Sequence, residues 1–191
     1  MRARAAPAPE SFRHQPFYCE ENVYHLCQEP IFAGRPRFAA FLSNASGGFA
    51  MWGQKASPRP GRPILWDYHV ILLAQDPWEI WDLDTTLGFP LPAADYLRAS
   101  FPLPLPEELM PCFRLVPPDE LAATFASDRR HMRRADGRYR KPPPPWPPIV
   151  TAEEGFNLPR FLDVNDPFAG EVLTLDALRS RVSDAGGASA P

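Results

Sequence analysis

Apolar positions between residues 19 and 29 recur with helical spacing: Cys19, Val23, Leu26 and Cys27 stand at i, i+4, i+7 and i+8 and share one face. Glu20 and Glu21 suit the positive first turn of such a helix, and Pro30 stops it. Beyond that point the pattern turns strand-like. RFAAFLSN (37–44) and GFAMW (48–52) read as two strands around Ser46-Gly47-Gly48, and ILWDYHVILL (64–73) with WEIWDLD (78–84) as a second, longer hairpin. Residues 92–100 read as a short helix and FRLV (113–116) as a strand. Asp119 to Ala126 reads as a helix with Asp119 near its N-cap, and a last helix capped by Thr174 runs to about Val182. A helix first and hairpin signals after it predict an α+β fold with an antiparallel sheet.

Composition narrows this to one domain. The chain has 191 residues, 45% hydrophobic and 12% aromatic, enough for a single sizeable core. Proline is the outlier: 26 residues exclude a mainly helical protein and imply long ordered loops, because each removes a backbone donor. Residues 1–16 read as a flexible arm and 184–191 as a disordered tail, leaving 17–183 as the folded domain. A net charge of −3 gives no general pull toward nucleic acid or membrane. The apolar run around Val70–Ala74 is far short of the roughly 20 residues of a membrane helix, and the first residues hold no secretory signal. Three cysteines without a CxxC predict neither a disulfide framework nor a cysteine-rich zinc site, and place the chain in a reducing, cytoplasmic setting.

The second hairpin carries candidate chemistry. A two-residue loop at Asp76-Pro77 is disfavoured, since the primed turns need positive φ there. A four-residue loop, Ala74 to Pro77, pairs Leu73 with Trp78 and therefore His69 with Asp82; the two-residue alternative sets His69 against Asp84. Opposed side chains have Cβ atoms about 4.5–5.5 Å apart, within reach of an imidazole–carboxylate hydrogen bond. His69 lies in an otherwise apolar strand, where an imidazole needs a partner. The same register opposes Asp67 to Asp84, a like-charge pair that costs stability unless solvated or occupied by a cation. Cys19, at the helix start, is expected to have its thiol pKa lowered by the dipole and the free N–H groups. Cys27 and Cys112 have no such setting and read as packing residues. Cys19, His69 and Asp82 then make a nucleophile, base and orienting acid. The plainer alternative is a small buried thiol and a polar cross-strand pair.

Five blocks are more specific: FYCEEN (17–22), PILWDYHVILL (63–73), WDLDTTLGFP (81–90), FASDRRHM (125–132) and KPPPPWPPI (141–149). In this order they resemble the protein N-terminal glutamine amidohydrolases, over about residues 17–182. The resemblance implies a papain- and transglutaminase-like fold, with a nucleophile helix packed on an antiparallel sheet. It makes Cys19 the nucleophile, His69 the base and Asp82 its orienting acid, with no metal or organic cofactor. The implied activity converts an N-terminal glutamine of a protein or peptide to glutamate, releasing ammonia through a thioester. The facing Asp67 and Asp84 are candidates for holding the substrate's α-ammonium. Residues 46–62 match only loosely, and the two ends do not match. A cysteine peptidase or transglutaminase-like acyl transferase would use the same three residue types. Outside catalysis, seven basic residues between Arg129 and Lys141 suggest a nucleic-acid patch, but with one tyrosine and no stacking pattern a solvated loop is the better reading. PPPPWPP would suit a proline-reading module. Because both segments fall in the resembling blocks, 129–148 is expected to form an ordered wall of the cleft of a monomeric enzyme.

Overall fold

The computed structural model describes residues 8–151 and 153–184. Helix α1 (Cys19–Leu26) is followed by β1 (Arg37–Ser43), β2 (Phe49–Met51), β3 (Ile64–Trp66), β4 (His69–Ala74), β5 (Glu79–Trp81) and β6 (Leu91–Pro92). Then come α2 (Ala93–Ser100), β7 (Cys112–Val116), α3 (Pro118–Thr124), α4 (Leu158–Leu162), β8 (Glu171–Thr174) and α5 (Leu175–Asp184). Six strands form one antiparallel sheet in the order β6-β5-β4-β1-β7-β8, while β2 and β3 make a separate two-stranded ribbon.

Strand alternation divides the core into two layers. Ala39 and Phe41 of β1 and Val70, Leu72 and Ala74 of β4 pack with Val23 and Leu26 of α1, Leu121 of α3 and Phe161 of α4. Ala40, Leu42, Ile71 and Leu73 face the other way, onto Tyr96 and Leu97 of α2 and Leu178 of α5. Each fully buried Leu or Phe contributes about 1.5–3 kcal/mol, so these two layers hold the fold without a disulfide. Among the described residues no helix is long and apolar enough to cross a membrane.

Several local expectations change. The first hairpin does not form: β1 is buried on both faces from Ala39 to Ser43 and takes a central place between β4 and β7, whereas β2 pairs with β3. A turn does follow β1, closed by Asn44 to the backbone of Gly48 at 2.6 and 2.9 Å, but the strands on either side of it diverge. The long strand 64–73 is broken, because the Asp67 carboxylate accepts the Tyr68 N–H at 2.9 Å, so β3 and β4 enter different sheets. Helix α1 ends at Leu26, earlier than its apolar spacing suggests. Pro117 is the N-cap of α3, with Asp119 close by in its first turn, and Thr174 caps α5 through the Ala177 N–H at 3.2 Å. The expectation of a loose arm does not describe residues 12–16: the Phe12 ring lies 6.1 Å from Trp81, and Gln15 and Asn22 exchange two bonds of 2.9 Å. Residues 1–7 of that arm and 185–191 of the tail lie outside the described residues, and α5 extends to Asp184.

Candidate active site

Helix α1 opens from an abrupt bend. Phe17 has φ of 72°, Tyr18 is a non-helical N-cap, and Cys19 is the first helical residue, 7% exposed. The two glutamates after it are buried instead of facing water. Glu21 receives a two-pronged Arg129 guanidinium at 2.7 and 2.8 Å, and the Trp146 indole N–H at 2.8 Å. Arg129 also donates to the carbonyls of Pro144 and Trp146, and the Tyr18 hydroxyl to that of Lys141. The basic, proline-rich segment is thus strapped to α1, with Trp146 and the Pro144 carbonyl used internally. It is an ordered wall, and Arg129 in it is a buried structural cation.

His69 and Asp82 do meet, by a different route from the expected one. The ladder pairs Leu72 with Trp81, Leu73 with Ile80 and Ala74 with Glu79, so the loop is Gln75–Trp78 and the register is shifted. Extended further, this register would set His69 opposite Asp84. It stops at Leu72–Trp81, because the Asp82 carboxylate accepts the Asp84 N–H at 2.9 Å and turns the chain out of the ladder. Asp82 then reaches His69 diagonally, with Nε2 to Oδ1 at 3.1 Å. The shift is two residues, which keeps the side chains on the same face. The facing Asp67–Asp84 pair does not form.

Asp82 is buried and fully used. Its Oδ2 accepts the Gln54 amide N–H at 3.0 Å and the Tyr96 hydroxyl at 2.6 Å. Gln54 is placed by a loop stitched to the far side of Asp82: Lys55 N–H bonds the Asp84 carbonyl at 2.8 Å, and Thr86 N–H that of Gly53 at 2.7 Å. Gly53 has φ of 71° and a Cβ there would run into Leu87. Neither Gln54 nor Tyr96 was identified from sequence. Tyr96 sits on the apolar face of a helix, where it reads as packing, and Gln54 lies in the stretch that matches the resembling family least. The Trp66 ring stacks on His69 at 5.3 Å and 7°. Bound to Asp82 through Nε2–H, the imidazole leaves Nδ1 buried without a hydrogen-bond partner.

The electrostatics correct one expectation. Burial, together with the carboxylates of Glu20, Asp84 and Asp82, pushes the Cys19 thiol well above its ordinary range. Its hydrogen bond goes to Glu20, Sγ to Oε2 at 3.8 Å. A shift in this direction disfavours ionisation of the thiol. Burial lowers the His69 pKa, but the Asp82 charge and hydrogen bond, with Asp84 and Glu20 behind, more than reverse this and leave it raised. Burial of Asp82 is outweighed in the same way by His69, Gln54 and Tyr96, which hold its pKa down at about 2. A depressed carboxylate stabilises the fold fully above its unfolded pKa of about 3.9 and loses that contribution as the pH falls through its folded value. Tyr96→Phe is therefore expected to lower unfolding free energy by about 1.5–3 kcal/mol at pH 7. That difference should shrink toward pH 2, as urea titrations at both pH values would show.

Cys19, Tyr68, His69, Asp67 and Asp84 line one cavity of about 880 Å³ at the end of the sheet where β4 begins. By strand parity His69 belongs to the α2–α5 face and Cys19 to the α1 face, so the two come to a common space only at this open end. Asp67 is exposed. Asp84 accepts His14 Nε2–H at 2.8 Å, which brings the N-terminal segment onto the cavity wall. His131, Met132, Arg140 and Lys141 supply the opposite wall. Among the described residues no group of three His, Cys, Asp or Glu side chains is gathered for a metal ion.

The chain is similar to known proteins over most of its length. Residues 14–182 match the family described as N-terminal glutamine amidase. The chain is 40% identical over 166 residues to the protein N-terminal glutamine amidohydrolase of Arabidopsis thaliana, covering 79% of this chain and 75% of that one. It is 34% identical over 190 residues to the human protein of the same name, covering 93% and 91%. The zebrafish (Danio rerio) protein is 40% identical over 165 residues, covering 80% and 79%.

Proposed function

We propose, for a chain that belongs to the N-terminal glutamine amidase family, that it hydrolyses the side-chain amide of an N-terminal glutamine to glutamate and ammonia, with Cys19 as nucleophile. The observation that carries the mechanism is the buried His69–Asp82 couple, with His69 Nδ1 unpartnered, on a cavity that Cys19 also lines. The nucleophile helix against an antiparallel sheet fits a papain- and transglutaminase-like arrangement.

A primary amide is a weak electrophile with a poor leaving group, so the step is divided. His69 Nδ1 takes the Cys19 proton as Sγ attacks the side-chain carbonyl carbon; with the thiol pKa raised, proton transfer accompanies attack. The first-turn N–H groups of α1 face the developing oxyanion. The imidazolium, stabilised by Asp82, returns the proton to the amide nitrogen, the C–N bond breaks and ammonia departs, leaving a thioester. Water then attacks this thioester, giving one proton to His69 Nδ1. The C–S bond breaks, the proton returns to Sγ, and glutamate is released. Asp67 and Asp84 add acidic groups to a cavity that Lys55, Arg140 and Lys141 also line, and Asp84 is already bonded to His14.

Peptides beginning with Gln, Asn or acetyl-Gln, or carrying only internal Gln, separate this reading from its rivals. Ammonia is expected from the first alone, with no chain scission by mass spectrometry. Scission would indicate a peptidase, and ammonia from internal Gln would remove the requirement for a free terminus.

A further inference from the structure

A second histidine–carboxylate couple stands beside the nucleophile, and the mechanism above makes no use of it. Glu20 is 1% exposed, and its Oε1 has no hydrogen-bond partner. Its Oε2 accepts the Tyr68 hydroxyl at 3.1 Å, and its Oε1 lies 3.4 Å from His131 Nε2. Tyr68 and His131 are themselves 3.3 Å apart, and the imidazole stacks on Phe156 at 5.5 Å and 20°. Tyr68 and His131 line the cavity; Glu20 lies one layer behind them. A buried carboxylate with a free oxygen is costly unless a cation or donor offsets it.

We infer that Tyr68 and His131, backed by Glu20, seat the α-ammonium of the substrate's first residue. The inference rests on the deamidase reading and says how a free N-terminus is recognised. The donor count supports it. Tyr68 donates its proton to Glu20, so its oxygen accepts: one lone pair faces His131 Nε2 at 3.3 Å and the other remains for an N–H; burial and Glu20 keep this phenol protonated. With its proton on Nε2, directed at Glu20 and the Tyr68 oxygen, His131 keeps an acceptor at Nδ1, which has no partner. Both acceptors are polarised by one buried negative charge, which suits an ammonium and repels a carboxylate. The spacing also fits. In an extended glutaminyl residue the α-nitrogen stands about 5 Å from the side-chain carbonyl carbon. The Glu20 carboxylate begins 3.8 Å from Sγ, and its bonded neighbours extend one hydrogen bond further. Asparagine, one methylene shorter, would not place its carbonyl at sulfur while its ammonium sits here. Glu20 acts through Tyr68 and His131 and is a positioning residue.

The test uses the Cys19→Ala protein and two peptides: one beginning with Gln, the other identical except that the first residue lacks its α-amino group (a glutaramoyl peptide). Calorimetry is expected to show about 10- to 100-fold tighter binding of the amino peptide, the worth of a charge-assisted contact. Adding Glu20→Gln, or Tyr68→Phe should Glu20→Gln not fold, is expected to bring that ratio close to one while affinity for the glutaramoyl peptide changes less than about threefold. His131→Phe, which keeps the stack on Phe156, should lower the ratio in the same direction. Equal affinity for the two peptides in the Cys19→Ala protein, or a preference that survives these second substitutions, overturns the assignment. So does an equal loss for both peptides. Ammonia release by the unsubstituted protein is measured alongside, so an error in the reaction shows there and an error in the ammonium seat shows in the affinity ratio.

Discussion

Cys19→Ala is expected to lower ammonia release from N-terminal-glutamine peptides by about 10⁴- to 10⁶-fold, while the protein stays folded. The substitution removes one sulfur from a site that already opens on a cavity, and the bond lost is a long one, 3.8 Å to Glu20. Glu20 keeps its bond from Tyr68. Unfolding free energy should therefore move by no more than about 1 kcal/mol. His69→Ala should cost nearly as much activity, because burial and neighbouring carboxylates push the thiol pKa up and a general base is then needed to take its proton. The double variant should be little slower than either single one, since the residues act as a unit. Stopped ammonia assays on the three proteins, with circular dichroism as the control for folding, check this. Turnover by Cys19→Ala within tenfold of the parent would remove Cys19 as nucleophile.

The largest effect on stability should come from a residue that touches no substrate. Arg129→Leu is expected to destabilise the protein by about 3–5 kcal/mol, because it strands a fully buried Glu21 carboxylate at the third residue of α1. Trp146 still donates one bond to that carboxylate, but the charge has no counter-ion and the segment 129–146 loses its anchor on α1. For a chain of this length the change corresponds to a fall in Tm of roughly 6–20 °C. Replacing both partners, Glu21→Leu with Arg129→Leu, should cost less than Arg129→Leu alone, since no charge is then left buried. Thermal unfolding of the two variants decides it; a double variant worse than the single would mean that the strap is held chiefly by packing.

The apolar spacing around Cys19 is sufficient to place a helix there, because a helix start is a local matter of one face, two acids and a proline. The His69–Asp82 partnership was also legible, since side-chain parity along a hairpin survives a two-residue slip. The register itself was not, because Asp82 bends the chain out of the ladder with a hydrogen bond to the Asp84 N–H, a contact between a side chain and its own backbone. The first hairpin failed for a different reason. A turn signal at Asn44–Gly48 states that the chain reverses and leaves open which strands then become neighbours.

Sequence alone thus determined the residue types proposed for the reaction, the face that His69 and Asp82 share and the blocks that mark the family, all of which depend on neighbours close along the chain. Tertiary structure decided what those residues experience. Burial and three carboxylates pushed the thiol pKa up where its place at a helix start suggested a fall, and Gln54 and Tyr96, from distant segments, took the remaining lone pairs of Asp82. Arg129, one cation in a run of seven, became a buried anchor because Glu21 lay beneath it. Charge and desolvation are sums over everything nearby in space, and proximity in space between segments over a hundred residues apart is not written in local pattern.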